Sequence, residues 1–155
     1  MGVGIASLVS AAMVGFGPVA PAGEPCHEFG ARQLVTRFIS AFNRGDSRSL
    51  DAVFARGLAW RWYSVGSAPG KRVGGPAYNR TTLLKYFRAR HKKNERLELQ
   101  YFRFNGVADG YGHFEYEVIR RADDMRAPKR KLYHGKGAVS CWAGKLGVLS
   151  MGEAS

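Results

Sequence analysis

The dipeptide Asp109-Gly110 separates two runs rich in aromatic and β-branched residues, 97–107 and 111–121. Asp-Gly is favoured in the two-residue turn whose twist matches that of its flanking strands, so the segment reads as an antiparallel hairpin. Such a turn also sets a register. With Ala108 opposite Tyr111, Glu98 is expected to face Arg121, Phe102 to face Glu117, Arg103 to face Tyr116 and Phe104 to face Glu115. Side chains alternate between the faces of a strand, so one face should carry Leu97, Leu99, Tyr101, Arg103, Phe114, Tyr116 and Val118. The other should carry Glu98, Gln100, Phe102, Phe104, His113, Glu115, Glu117 and Arg121. The first is the better core face, with Arg103 its single charge.

Helices are expected before the hairpin. Leu34, Val35, Phe38, Ile39, Ala41 and Phe42 recur at three-and-four spacing, the mark of a helix with one buried stripe. Gly45 suits the left-handed position that ends it, and Asp46 can cap a second helix carrying Leu50, Val53 and Phe54. Residues 58–65 read as an aromatic strand in which Trp60 and Trp62 point the same way. The two rings are read as core or, alternatively, as a binding platform. After a loop, a third helix is expected from about Tyr78 to Asn94. Leu83, Leu84, Phe87 and His91 share one of its sides, and Lys85, Arg88, Lys92 and Arg96 lie opposite on a face expected to be solvated. Strands at Leu132–Trp142 and Leu146–Met151, joined at Ala143-Gly144-Lys145, complete a single domain.

At 155 residues with 45% hydrophobic content, the chain can fill one core, which argues against disorder. Residues 1–31 contain no Lys or Arg, and the apolar run 3–16 precedes Ala20-Pro21-Ala22, which has the look of a signal-peptidase site. The run is shorter than the ~20 residues that span a bilayer. We therefore expect a signal peptide over 1–22, an N-terminal segment 23–27 and a domain over 28–152, in a secreted or cell-envelope protein without a membrane span. A basic n-region is missing, so the signal is atypical or the translation start lies upstream. Cys26 and Cys141 would both survive cleavage, and an even pair in an exported chain points to one disulfide. The alternative is a buried Cys141 and a frayed Cys26. Lys and Arg total 24 against 12 Asp and Glu, a formal charge of +12 that favours acidic partners without specifying one.

The order helix, helix, aromatic strand, helix and hairpin-linked strands resembles the nuclear transport factor 2-like superfamily, which includes the SnoaL-like proteins. The stretch VTRFISAFNRGDSRSLDAVFARGLAWRW, residues 35–62, carries the resemblance most clearly: a helix ending in Phe-Asn-x-Gly-Asp, a second helix, then a strand. It implies an α+β domain in which a curved antiparallel sheet wraps around three helices, a cone whose open end often holds a pocket. It also implies pairing, since this fold often forms a homodimer through an outer sheet face. The fold hosts enzymes, ligand binders and assembly modules, so it does not fix function. Ketosteroid isomerases, polyketide cyclases and limonene-type epoxide hydrolases of this superfamily rely on Asp residues in the pocket. Here Asp46, Asp51, Asp109, Asp123 and Asp124 fall at helix starts or turns, and no family catalytic motif maps onto the chain.

Three readings follow. The first is a noncatalytic exported domain that binds a small hydrophobic or anionic ligand or acts as an interaction module. The second is a pocket enzyme of isomerase, cyclase or hydrolase type using His91, Arg103, Tyr101 and Tyr116, and it requires these to converge. The third is a domain for nucleic acid or an anionic envelope polymer, using Lys85, Arg88, Lys92, Arg96, Lys129, Arg130 and Lys131. No cofactor is expected. His113, Glu115 and Glu117 stand about 6.5 to 7 Å apart along one face, too far to close a metal site alone, and are read as the wet side or a subunit interface. His134-Gly135-Lys136-Gly137 lacks the spacing and the following helix of a phosphate loop.

Overall fold

The structure, a computed structural model, describes residues 26–56, 80–126 and 129–153. The strand expected at 58–65, with Trp60 and Trp62, lies outside the described residues, as do the loop after it and residues 1–22. Three helices, α1 (Glu28–Arg44), α2 (Ser47–Val53) and α3 (Arg80–His91), precede four strands, β1 (Arg96–Ala108), β2 (Tyr111–Arg121), β3 (Arg130–Ser140) and β4 (Lys145–Glu153). The strands form one curved antiparallel sheet in the order β1-β2-β3-β4, with the helices packed on its inner face.

The Phe-Asn-x-Gly-Asp corner works through each of its named residues. Phe42 is buried in the core. Asn43 turns its amide onto the edge strand, donating to the Leu97 carbonyl and accepting from the Leu97 N–H, both at 2.8 Å. Its side chain thereby satisfies two backbone groups that a neighbouring strand would otherwise take. Gly45 ends α1 in the left-handed conformation at φ 68°, and Asp46 caps α2 by accepting from the Ser49 N–H at 3.0 Å. A Cβ at Gly45 would also collide with the His91 ring. His91 therefore packs over this corner instead of facing the cone interior, as expected from its place on the apolar side of α3.

Between sheet and helices the space is filled by rings. Phe38 lies 5.9 Å from Phe42, 5.8 Å from Phe54 and 5.6 Å from Phe87, centroid to centroid. Past α2 the chain joins the sheet, with the Ala55 N–H donating to the Leu146 carbonyl at 2.8 Å. On the sheet's inner face, Phe114 and Tyr116 of β2 lie across Gly137 and Gly135 of β3, where any Cβ would meet their rings. Tyr116 reaches over Gly135 to donate its hydroxyl proton to the Ser150 carbonyl of β4 at 3.0 Å. The glycines of His134-Gly135-Lys136-Gly137 are thus seats for aromatic rings.

The hairpin turn forms as expected, with Asp109 at φ 52° and Gly110 at φ 75°. Its register does not persist. Ala108 faces Tyr111 and Gly106 faces His113, but bulges at Asn105 and Gln100 each shift the pairing by one residue. Phe104 then faces Phe114, Arg103 faces Glu115, Phe102 faces Tyr116, Tyr101 faces Glu117 and Glu98 faces Ile119. The expected pairings of Glu98 with Arg121, Phe102 with Glu117, Arg103 with Tyr116 and Phe104 with Glu115 are corrected accordingly. The physical cause is the extra residue in each bulge, which turns the next side chain to the opposite face. β2 keeps its expected faces, Phe114, Tyr116 and Val118 inward; in β1, Phe102 and Phe104 turn in while Tyr101 and Arg103 turn out.

One end of the interior is polar. Glu95 and Arg120 are fully buried and Arg90 nearly so. Arg120 donates to both Glu95 oxygens, at 2.8 and 2.9 Å, and to the Tyr133 hydroxyl at 3.2 Å. Arg90 pairs with Glu95 and donates twice to Asp124, both at 2.7 Å. Two guanidinium groups and two carboxylates thus close a balanced network joining α3, the α3–β1 connection, β2 and the β2–β3 connection. Burial works to lower the pKa of both arginines. For Arg90, the hydrogen bonds to Asp124 and the Glu95 charge more than offset burial; for Arg120, the Glu95 hydrogen bonds do. Both end up raised. The Arg90 hydrogen bonds hold Asp124 below the usual carboxylate range.

Cys26 and Cys141 form a disulfide with Cα atoms 5.2 Å apart, tying the start of the domain to the β3–β4 turn. That turn covers residues 141–144, so Trp142 sits in it, 82% exposed, and not at the end of a strand. The Cys141 N–H donates to the Gly110 carbonyl at 3.0 Å, which links the sheet's two tight turns. Among the described residues, no helix is long and apolar enough to cross a membrane.

Candidate functional site

Because the inner face is spent on rings, the free chemistry of the sheet lies on its outer face. Strand pairing arranges it in cross-strand rows. One runs Tyr101, Glu117, His134, Gly152 and the next Arg103, Glu115, Lys136, Ser150. Apart from Arg103, the residues of these rows line a trough of about 430 Å³, together with Tyr116, Gly135 and Met151. At the far end of the same face, Arg96, Arg121 and Arg130 stand side by side on three strands.

The trough's charges are partly matched. Arg103 Nε lies 2.9 Å from Glu115 Oε1 and 3.0 Å from Asn105 Oδ1, while His134 Nδ1 lies 3.0 Å from Glu117 Oε1. The Lys136 ammonium and the Tyr101 hydroxyl have no protein partner among the described residues. The arrangement therefore offers one ammonium without a direct ion pair among the described residues, beside an exposed ring, in a trough where Glu115 and Glu117 formally balance Arg103 and Lys136. A Glu–His–Ser relay is not assembled, since Ser150 donates its hydroxyl proton to the Lys136 carbonyl at 3.1 Å.

The expected candidates scatter. Tyr101 reaches the trough from the outer face instead of the inner one, and Tyr116 enters only its floor, its hydroxyl committed to Ser150. Arg103 is exposed and ion-paired with Glu115, so it is not a buried counter-charge in a cone pocket. His91 packs at the α1–α2 corner, where its Nδ1 meets no protein partner among the described residues. His91, Arg103 and Tyr116 therefore do not converge, and the enzyme built on them is withdrawn. Lys85, Arg88 and Lys92 lie on the exposed side of α3, as expected. Arg96, Lys129 and Arg130 come together with Arg121, whereas Lys131 stands one position along β3 from that row.

Sequence reasoning missed His134 and Lys136 as site residues. Period two places both on one face of β3, but their meeting with Glu117 and Glu115 depends on a β2–β3 register that no tight turn fixes. It also missed Arg90, although Leu83, Phe87 and Arg90 continue one helical stripe.

No family model matches the sequence, and no curated protein matches it. Solved structures do match. An uncharacterised protein with a cystatin-like fold from Caulobacter vibrioides is 16% identical, with a TM-score of 0.66 over 82% of this chain and 89% of that one. A nuclear transport factor 2-like protein with a cystatin-like fold from Novosphingobium aromaticivorans is 12% identical, with a TM-score of 0.59 over 82% of this chain and 81% of that one. The Orange Carotenoid Protein of Anabaena (Nostoc) sp. PCC 7120, in a structure binding canthaxanthin, is 14% identical with a TM-score of 0.60 over 76% of this chain. This chain spans only 34% of that protein's length, and 33% of a second orange carotenoid protein from Fremyella diplosiphon. The chain has the cystatin-like, nuclear transport factor 2-like fold.

Proposed function

We propose that this protein is an exported, noncatalytic binding domain whose working surface is the outer face of the sheet, with the trough as its ligand site. The observation that carries this reading is the division of labour between the two faces. Inward, rings and a balanced ion network occupy most of the side chains; outward, the Lys136 ammonium and the Tyr101 hydroxyl, without a partner among the described residues, stand beside a concavity of about 430 Å³. The ligand class that fits is a small molecule with an apolar or aromatic body and one anionic group, the body against the Tyr101 ring and the anion on Lys136. Glu115 is already paired with Arg103 and so opposes an anion less than its formal charge implies, while Glu117 is turned toward His134.

A carotenoid-binding protein sharing the fold supports small hydrophobic ligands as one use of it, although trough walls bearing an imidazole, carboxylates and an ammonium suit a charged end that a plain polyene lacks. Export is supported by the apolar run before Ala20-Pro21-Ala22 and by the disulfide, which persists in oxidising compartments. A thermal-shift screen of the full chain against small aromatic and aliphatic carboxylic acids tests the site. Hits should raise the melting temperature of the wild type and lose that effect in Lys136→Glu. A screen without hits, or hits that stabilise Lys136→Glu and Tyr101→Ala as much as the wild type, contradicts it.

A further inference from the structure

We infer that the cleft at the β1-start end of the sheet, lined by Arg96, Arg121, Lys129 and Arg130, is a second binding site, specific for phosphate ligands that place two or more negative charges in it. It stands apart from the trough and does not depend on the reading given to it. The cleft holds about 610 Å³. Arg96 faces Arg121 directly across β1 and β2, and Arg121 faces Arg130 across β2 and β3. Like charges directly opposite each other destabilise a sheet, and neighbouring strands lie only about 4.8 Å apart. The two carboxylates of the neighbouring ion network do not neutralise this row, because buried Glu95 and exposed Asp124 are matched by Arg120 and Arg90.

The partners the row does have leave its donors available. Arg96 spends one nitrogen on the Glu95 carbonyl at 2.8 Å. Arg130 touches Glu98 at 3.3 Å in an exposed pair of small worth. Arg121 and Lys129 have no protein partner among the described residues. The cleft's one carboxylate, Asp123, accepts from Asn94 at 2.6 Å. A planar carboxylate offers two oxygens, enough for one guanidinium fork. Three guanidinium groups and an ammonium converging from three strands and a loop match a tetrahedral oxoanion, whose oxygens point in several directions and whose charge approaches theirs. Such a group can be carried by a free small phosphate or by a phosphate-bearing polymer.

Isothermal titration of the full-length protein at low salt tests the inference with three probes: inorganic pyrophosphate, long-chain polyphosphate and succinate. Polyphosphate should bind, with or without pyrophosphate, and succinate should not, with binding falling as salt screens the charges. Arg121→Gln, at an exposed position, should weaken phosphate binding about tenfold or more, and Lys129→Gln should weaken it in the same direction. Lys85→Gln on the far face of α3 should change it less than about twofold. Equal binding of the two phosphates per site points to a small free ligand, and binding of polyphosphate alone points to a polymer; both uphold the site. No phosphate binding, succinate binding as tight as pyrophosphate, or Arg121→Gln behaving as wild type overturns it.

Discussion

Arg120 and Glu95 meet through two parallel hydrogen bonds, Nε to Oε1 at 2.8 Å and Nη2 to Oε2 at 2.9 Å, where neither side chain reaches solvent. Such a pair adds little over an apolar pair of the same shape, but losing one member strands the other's charge. Here Glu95 also serves Arg90, so removing it strands two guanidinium groups. Glu95→Gln should lower the unfolding free energy by about 3 to 5 kcal/mol in urea titrations. Adding Arg120→Met to it should cost less than the sum of the two single changes. A loss under about 1 kcal/mol for Glu95→Gln would show that the network is not a closed unit.

The Cys26–Cys141 disulfide closes a loop with a sequence separation of 115. Constraining so long a segment of the unfolded chain is worth about 4 to 5 kcal/mol on the chain-entropy model. Denaturant titration with and without reductant should show a loss of that order. The Cys26→Ser, Cys141→Ser double variant should match the reduced wild type.

Gly135 is required by a ring and not by a turn. Gly135→Ala should push the Tyr116 ring off its seat at a cost of about 1 to 3 kcal/mol. Gly147→Ala, also buried in the sheet, is the control, since its nearest atom would be Tyr111 Cε1 at 3.4 Å, an ordinary contact. Urea midpoints should fall clearly for the first and little for the second.

Acid should destabilise the fold through particular carboxylates. Hydrogen bonds from Ser49, Arg80 and Arg90 hold Asp46, Asp51 and Asp124 below the usual aspartate value. A depressed folded-state pKa contributes stability that is present above the unfolded value, about 3.9, and is lost as pH falls through the lower folded values. Stability should therefore hold steady from pH 7 to about 5 and drop below about 4. Asp124→Asn should start from a lower plateau and fall less steeply in acid.

The corner at Gly45 and Asp46 was legible because a left-handed glycine and a helix cap act locally, whereas the Asn43 amide, which reaches Leu97 in a distant strand, was not. The Asp109-Gly110 turn was legible too, because its chemistry is contained in two residues. The faces of β1 were not, because Tyr101-Phe102-Arg103-Phe104 offers a ring to either side and alternation cannot reveal a slip. Neither bulge carries a signal strong enough to break the pattern, although Gly106, at φ 104°, follows one of them. The trough was hidden for a related reason. Its charges come from the strands β1, β2 and β3 and align only once the Asn105 bulge has turned Tyr101 and Arg103 outward. The arginine row was half visible: Arg96, Lys129 and Arg130 stood out as charges, but Arg121 joined them only through strand pairing.

The central claim, that this domain binds through the outer face of its sheet, is tested most directly by amide chemical-shift mapping of the full chain titrated with a hit from the carboxylic-acid screen. Shifts should concentrate at Tyr101, Glu115–Glu117, His134–Lys136 and Ser150–Gly152, and should vanish in Lys136→Glu. Shifts centred instead on the inward-facing core around Phe38, Phe87 and Phe114, with the outer strand positions unmoved, would contradict it.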